Sequence, residues 1–329
     1  METQDTSICY QDIVAASERL DGIARKTPLI ESISTSKVCS ARIFLKAETL
    51  QHTGSFKFRG AYNLISQLSK EQKAQGVVAY SSGNHAQAVA KVAKLNSINA
   101  TIIMPEDAPK IKIKATQSLG AQTVFYDRNS ESREAIAAAI VERSGATLVP
   151  PYDHPHTIAG QGTVGLEIVE QLAEQGYEPD IVLVPCSGGG LIAGIAIVIR
   201  HAFPRAKIYS VEPEGFDDTA RSLESGTFER IAPNQKSICD ALLVPTPGQI
   251  TFPINKDLLC GGLAVTDHMV EKAMAFAFLR EKLVLEPGGA VALAALFNYK
   301  HLIAGKNAIA ILSGGNVDPQ IFRTAIRHN

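Results

Sequence analysis

The feature that most restricts what this chain can fold into is a rhythm. From about residue 42 to the end, short β-branched runs alternate with segments of helical period. That alternation leads to an α/β architecture of open parallel sheets flanked by helices. Strands are expected at 43–47, 77–80, 101–104, 123–126, 147–149, 181–184, 208–211 and 308–312. Helices between them carry countable apolar faces, such as the stripe Val270, Ala273, Met274, Ala277 and Phe278 after a Thr266 cap. The block 76–150 holds three strand–helix units of its own and closes on the turn Pro150–Pro151–Tyr152. It reads as a small inserted lobe, with 1–75 and 151–329 forming the larger one and a ligand between them.

Composition narrows the function classes. With 32 Lys plus Arg against 33 Asp plus Glu, the formal charge is -1, so no net field draws the chain to nucleic acid or an anionic membrane. No basic segment followed by an apolar stretch opens the sequence, and the best apolar run, 191–199, is too short to span a bilayer. The five cysteines, Cys9, Cys39, Cys186, Cys239 and Cys260, stand at wide spacings without a CxxC pair, as expected of reduced thiols in a cytoplasmic protein.

Four polar segments can carry chemistry. Ser187–Gly188–Gly189–Gly190 follows one expected strand and precedes a helix, so its main-chain N–H groups and the helix start suit a phosphate; a tight turn binding nothing has the same spelling. Ser81–Ser82–Gly83–Asn84–His85 is either an anion nest for a carboxylate or an ordinary helix cap. In Gly54–Ser55–Phe56–Lys57–Phe58–Arg59–Gly60, a lysine stands between two phenylalanines. Held against the rings, its amine would lose hydration and become a nucleophile toward an aldehyde; alternatively it snorkels out to water. Leu312–Ser313–Gly314–Gly315–Asn316 ends the last strand, at the sheet edge where ligands sit in parallel α/β folds.

Together these segments resemble the fold type II pyridoxal-phosphate enzymes, and within them the serine/threonine dehydratase and serine racemase group. Further matches lie at Ala159–Gly160–Gln161–Gly162–Thr163, Val211–Glu212–Pro213 and Glu286–Pro287, so the resemblance runs along nearly the whole chain. It implies a tryptophan synthase β-like fold with pyridoxal 5′-phosphate carried by Lys57, which also moves the substrate α-proton. Phe56 would stack on the coenzyme ring, Asn84 would bond its 3′-oxygen, and Ser187, Gly188, Gly189 and Gly190 would cradle its phosphate. Ser313 would face the pyridine nitrogen, and a neutral hydroxyl there favours β-elimination over transamination. Ser81, Gly83, Asn84 and His85 would hold the substrate carboxylate. The implied reaction takes a hydroxy amino acid such as serine or threonine to a 2-oxo acid and ammonia.

Other details bear on which member this is. Ser82 stands where threonine dehydratases usually have alanine and serine racemases have serine, a second acid/base group on the opposite face, so racemisation of serine or aspartate is an alternative. Pro150–Pro151–Tyr152–Asp153–His154–Pro155 is similar to a segment of 3-hydroxyaspartate dehydratases, where a basic group, His154 or Arg133, would meet a β-carboxylate; a solvated surface position is the alternative for each. A silent protein that senses the coenzyme or an amino acid is a third reading, against which Lys57 speaks. Departures are Ser187 in place of a first glycine, Asp240–Ala241 in place of Asp–Gly, and the stretch 242–253. Glu212, Asp218 and the carbonyl of Phe216 resemble the family's divalent-cation site, for Mg²⁺ or Ca²⁺. A homodimer is implied as well, and with Asn329 the last residue no appended regulatory domain is expected.

Overall fold

The computed structural model describes residues 7–81, 83–108, 110–127 and 130–327. Ten strands form two sheets. They are β1 (Leu29–Glu31), β2 (Arg42–Lys46), β3 (Val77–Tyr80), β4 (Ala100–Pro105), β5 (Gln122–Tyr126), β6 (Thr147–Leu148), β7 (Ile181–Pro185), β8 (Lys207–Pro213), β9 (Gly261–Val265) and β10 (Asn307–Ile311). The larger sheet runs β1-β2-β10-β7-β8-β9, parallel throughout except for β1 against β2, and the smaller runs β5-β4-β3-β6, all parallel.

Strands covered on both faces need apolar residues at successive positions, and β2, β7 and β10 supply them. Ile43, Leu45, Leu183, Ala308 and Ala310 pack with the helix Pro287–Asn298 on one side. The alternate residues Phe44, Val182, Val184, Ile309 and Ile311 meet Ile168 and Leu172 of the helix Pro155–Gln175 and Ile192 and Ile195 of the helix Gly190–Ala202 on the other. The small sheet has its own core, into which the helix Lys57–Ser66 sends Phe58, Ala61, Leu64 and Ile65.

Eight of the ten strands coincide with expected runs. β1 and β9 do not: β1 is three residues behind Pro28 and pairs antiparallel at the sheet edge, and β9 opens with Gly261 and Gly262, which weaken any strand pattern. The cap of Thr266 is present, its side chain accepting from the Met269 N–H. Phe278 leaves the expected apolar stripe and is exposed, because the helix passes into a π turn at Ala277–Glu281 that rotates its face.

Below the start of the helix Lys57–Ser66 lies a buried charge network. Arg59, 1% exposed, donates to Glu48 through Nε and Nη2, both at 2.8 Å, and to Glu167 through Nη1 and Nη2 at 2.6 and 2.9 Å. Lys46 donates to Glu167 at 2.6 Å and to the Thr27 carbonyl at 2.7 Å. Two cations and two carboxylates thus bind β2, the turn after it and two helices into one frame. Removing one member leaves the others charged without water, so Arg59→Ala lowers stability by about 3–5 kcal/mol. Chemical denaturation checks this, and Arg59→Lys, which keeps the charge but loses the planar fork, falls between.

Candidate active site

The loops leaving the carboxyl ends of β3, β7 and β10 converge with the start of the helix Lys57–Ser66 on a cavity of about 230 Å³. Parallel strands direct their carboxyl ends to one edge, so three segments far apart in sequence become neighbours. β10 lies next to β7 in the sheet, which sets Ser313 beside the Ser187 turn.

Lys57 is the first residue of its helix and is half-buried, facing the cavity. Its Nζ donates to the Pro151 carbonyl at 2.7 Å and stands 4.9 Å from the centroid of the Phe56 ring. Burial lowers the amine to about 8, against a weaker opposing pull from the Glu286 carboxylate. The second phenylalanine does not share this role: Phe58 turns into the core and packs against His52 and Tyr62. A lysine that snorkels to bulk water is therefore not what the fold makes.

The Ser187–Gly190 turn has its carbonyls tied away from the cavity. Thr251 Oγ1 donates to the Gly188 carbonyl at 2.6 Å and Asn255 Nδ2 to that of Gly189 at 3.4 Å. Gly189 caps the following helix with φ +88°, and a Cβ there would lie 2.6 Å from Asn255 Nδ2, so glycine is required twice over. Having no side chain, it leaves the first N–H groups of the helix without a cap, which is the arrangement an anion occupies. The Ser187 hydroxyl oxygen accepts from the Val244 N–H at 3.3 Å and keeps its own hydrogen to donate.

Gly83 likewise caps the helix Asn84–Leu95 without a side chain, its own N–H donating to Ser81 Oγ at 3.2 Å. Asn84 Nδ2 donates to Glu286 Oε1, and Asn84 Oδ1 accepts from Asn316 Nδ2 at 2.7 Å. His85 is buried, and burial followed by the Lys57 charge pushes its ring down to about 3, so it is neutral. The Val149 carbonyl, 2.7 Å from Nε2, can only accept, which places the hydrogen on Nε2 and leaves Nδ1 a lone-pair acceptor. The ring thus has no hydrogen for a substrate carboxylate, and only the main-chain N–H of His85 can serve there. Ser82 lies outside the described residues.

Of the two basic candidates, the structure brings only Arg133 to the cavity wall, its guanidinium 5.0 Å from the Tyr80 ring centroid and bonded to Glu134 at 2.7 Å. His154 is not in that wall. It caps the helix Pro155–Gln175, accepting from the His156 N–H, and burial holds it down to about 4, so it carries no charge for a carboxylate. Other charged residues of the wall have no role that the sequence alone suggests. Lys112 forms an ion pair with Asp240 across the cavity mouth, and Glu286 precedes the helix Pro287–Asn298; an acidic residue before Pro-Gly-Gly was the only signal for the latter.

Glu212 and Asp218 are both buried. Glu212 accepts from the main-chain N–H groups of Thr219 and Ala220 at 3.0 and 2.8 Å, while neither oxygen of Asp218 has a hydrogen-bond partner. Burial raises Asp218 to about 7, and burial together with the Asp218 charge raises Glu212 well above the carboxylate range. No cluster of three or more His, Cys, Asp or Glu suited to a metal occurs among the described residues. Two buried hard oxygen donors, with the Arg221 charge only a weaker opposing pull on Asp218, fit a divalent cation, whose remaining ligands would be backbone carbonyls or water.

A half-buried amine of lowered basicity that shares one cavity with a bare, glycine-rich helix start and an amide donor suits a phosphorylated aldehyde coenzyme. Residues 20–314 match the family described as "Pyridoxal-phosphate dependent enzyme", and the chain belongs to that family. It is 41% identical over 318 residues to the L-threo-3-hydroxyaspartate ammonia-lyase of a Pseudomonas species, covering 97% of this chain and 98% of that one. To the serine racemase of Schizosaccharomyces pombe it is 42% identical over 309 residues, covering 94% of each. The structure of maize serine racemase superposes with a TM-score of 0.91 at 36% identity, over 98% of both chains. The fold is that of the fold type II pyridoxal-phosphate enzymes, as expected. No helix among the described residues is long and apolar enough to cross a membrane.

Proposed function

We propose that this enzyme is an ammonia-lyase that converts a hydroxy amino acid, such as L-serine or L-threonine, to a 2-oxo acid and ammonia by β-elimination. The observation that carries the reading is Lys57, an amine brought near neutrality by burial and facing a cavity edged by an uncapped, glycine-rich helix start. Pyridoxal phosphate, when bound, supplies the electron sink that makes the α-proton removable. The N–H groups of the Ser187–Gly190 turn would bind its phosphate and Phe56 would stack on its ring. Asn84 has one amide hydrogen left for the 3′-oxygen, since Glu286 takes the other. Ser313, in the cavity wall, would face the pyridine nitrogen. Ser81 and the N–H groups of Gly83, Asn84 and His85 bind the substrate carboxylate, and Lys57 Nζ accepts the α-proton. The β-hydroxyl leaves as water, and hydrolysis of the resulting enamine returns that water and releases ammonia. Racemisation would need a second proton carrier on the far face, the role proposed for Ser82.

A second substrate reading is favoured by Arg133. A guanidinium in the cavity wall, whose partners among the described residues are Glu134 and a tyrosine ring, can pair with a β-carboxylate, which points to 3-hydroxyaspartate. A panel of L- and D-serine, threonine and the 3-hydroxyaspartate isomers, scored for oxo acid and for enantiomer, tests both. Oxo acid forms in every productive case. Arg133→Gln raises KM by about tenfold or more for 3-hydroxyaspartate alone if the second reading holds, and leaves all substrates alike if it does not.

Glu212, Asp218 and the Phe216 carbonyl are proposed to bind Mg²⁺ or Ca²⁺. Without a cation, the two carboxyls favour the fold while protonated, and that contribution is lost as pH rises from the ordinary carboxylate range through about 7 for Asp218. A cation binds the ionised forms and reverses the loss. Millimolar Mg²⁺ should therefore raise the melting temperature by a few degrees at pH 8, less at pH 6, and not at all in Asp218→Asn.

The homodimer is proposed for the face on which Ile33, Leu50, Leu279 and Val284 are exposed, tied together by Ser32–Glu281 and Thr49–Val284 hydrogen bonds. A small inserted lobe at 76–150 and a cytoplasmic setting complete the proposal; the five unpaired cysteines support the latter.

A further inference from the structure

Glu286 has no part in the reaction described above, yet it is set into the cavity wall at 2% exposure. Its Oε1 accepts from Asn84 Nδ2, and its Oε2 is buried without a hydrogen-bond partner. The fold makes room for it deliberately: a Cβ on Gly314 would lie 2.0 Å from Oε1, and the Glu286 N–H is fixed to the Gly314 carbonyl at 3.1 Å. On the other side of Asn84, Asn316 Nδ2 donates both to Asn84 Oδ1 and to the Thr53 carbonyl, each at 2.7 Å. With Oδ1 filled by a donor and one amide hydrogen taken by an acceptor, the Asn84 side chain cannot flip, and a single N–H remains to be offered into the cavity.

We infer that Glu286 is a positioning residue: it locks Asn84 as a one-hydrogen donor toward an anionic oxygen of the cavity's occupant, and its own proton sets the charge beside that oxygen. The inference rests on the coenzyme reading of the cavity and deepens it. A neutral carboxyl and a carboxylate can both accept from Asn84, so the lock survives titration; what changes is the charge next to a second anion. Ionisation of Glu286 therefore opposes an anionic occupant. Burial, then the Asp240 carboxylate, raise Glu286 to about 7, while Lys112, the Asn84 hydrogen bond and Lys57 pull it down, so the change falls near neutral pH. Among the described residues, those groups, with the Cys239 thiol, are the titratable and charged side chains coupled to it from the surrounding elements.

The test uses 4-deoxypyridoxine 5′-phosphate, which has the ring, 3′-oxygen and phosphate of the coenzyme but no aldehyde, so docking is read apart from reaction with Lys57. Its dissociation constant is measured by equilibrium dialysis from pH 6 to pH 8.5 for the coenzyme-free full chain and for Glu286→Gln, Glu286→Ala and Asn84→Ala. Glutamine is the shape of the protonated acid. It should match the wild type at pH 6, while above neutral pH the wild type weakens several-fold more than Glu286→Gln does. Glu286→Ala, which frees the Asn84 amide, should bind about tenfold more weakly at pH 6. Parallel pH profiles for the wild type and Glu286→Gln overturn the inference, as does Glu286→Ala binding like wild type. A merely structural carboxylate would lower the melting temperature and leave the profiles parallel, which also overturns it. Failure of the wild-type protein to bind the analogue at any pH refutes the coenzyme reading instead, whereas Asn84→Ala, which removes the donor that Glu286 is said to hold, overturns the inference if it binds as tightly as wild type.

Discussion

An amine that loses its proton near neutral pH must be kept out of bulk water, and the rest of this structure serves that constraint on Lys57. Burial alone would expel a charged lysine, so the amine is given one acceptor, the Pro151 carbonyl, and a cavity that exposes it to an occupant rather than to solvent. Its helix cannot drift toward the surface, because Arg59, two residues on, is clamped by two carboxylates beneath the sheet edge. The reactive group and its anchor thus share one turn of one helix on opposite faces, one facing the cavity and the other the frame.

The remainder of the site follows from where parallel strands end. Two helices begin at this edge with a glycine in the capping position, and each leaves its first N–H groups unsatisfied in the direction of the cavity. One suits a phosphate and the other a carboxylate, which are the two anions of a coenzyme and an amino acid. Positive charge is otherwise rationed: Lys112 is paired with Asp240, His85 is neutral, and Arg133 is the guanidinium in the wall.

Much of this was legible in the sequence because it is written in local patterns. The β-branched runs marked eight strands since strands buried on both faces need apolar residues throughout, and the Ser187–Gly190 and Ser81–His85 turns marked two bare helix starts since a glycine in the capping position brings no side chain. β1 and β9 were missed because three residues after a proline, or five beginning with two glycines, carry no such pattern. Side-chain roles that depend on tertiary neighbours were harder to see. Phe58 differs from Phe56 only in the face of the helix it falls on, His154 was given a charge that burial denies it, and nothing local shows that Glu286 meets Asn84 across 202 residues.

Reducing the coenzyme-loaded enzyme with borohydride and mapping the labelled peptide tests the central claim most directly. The account predicts a single pyridoxyl label, on Lys57. A label on any other lysine, or none in protein shown to hold the coenzyme, would contradict it.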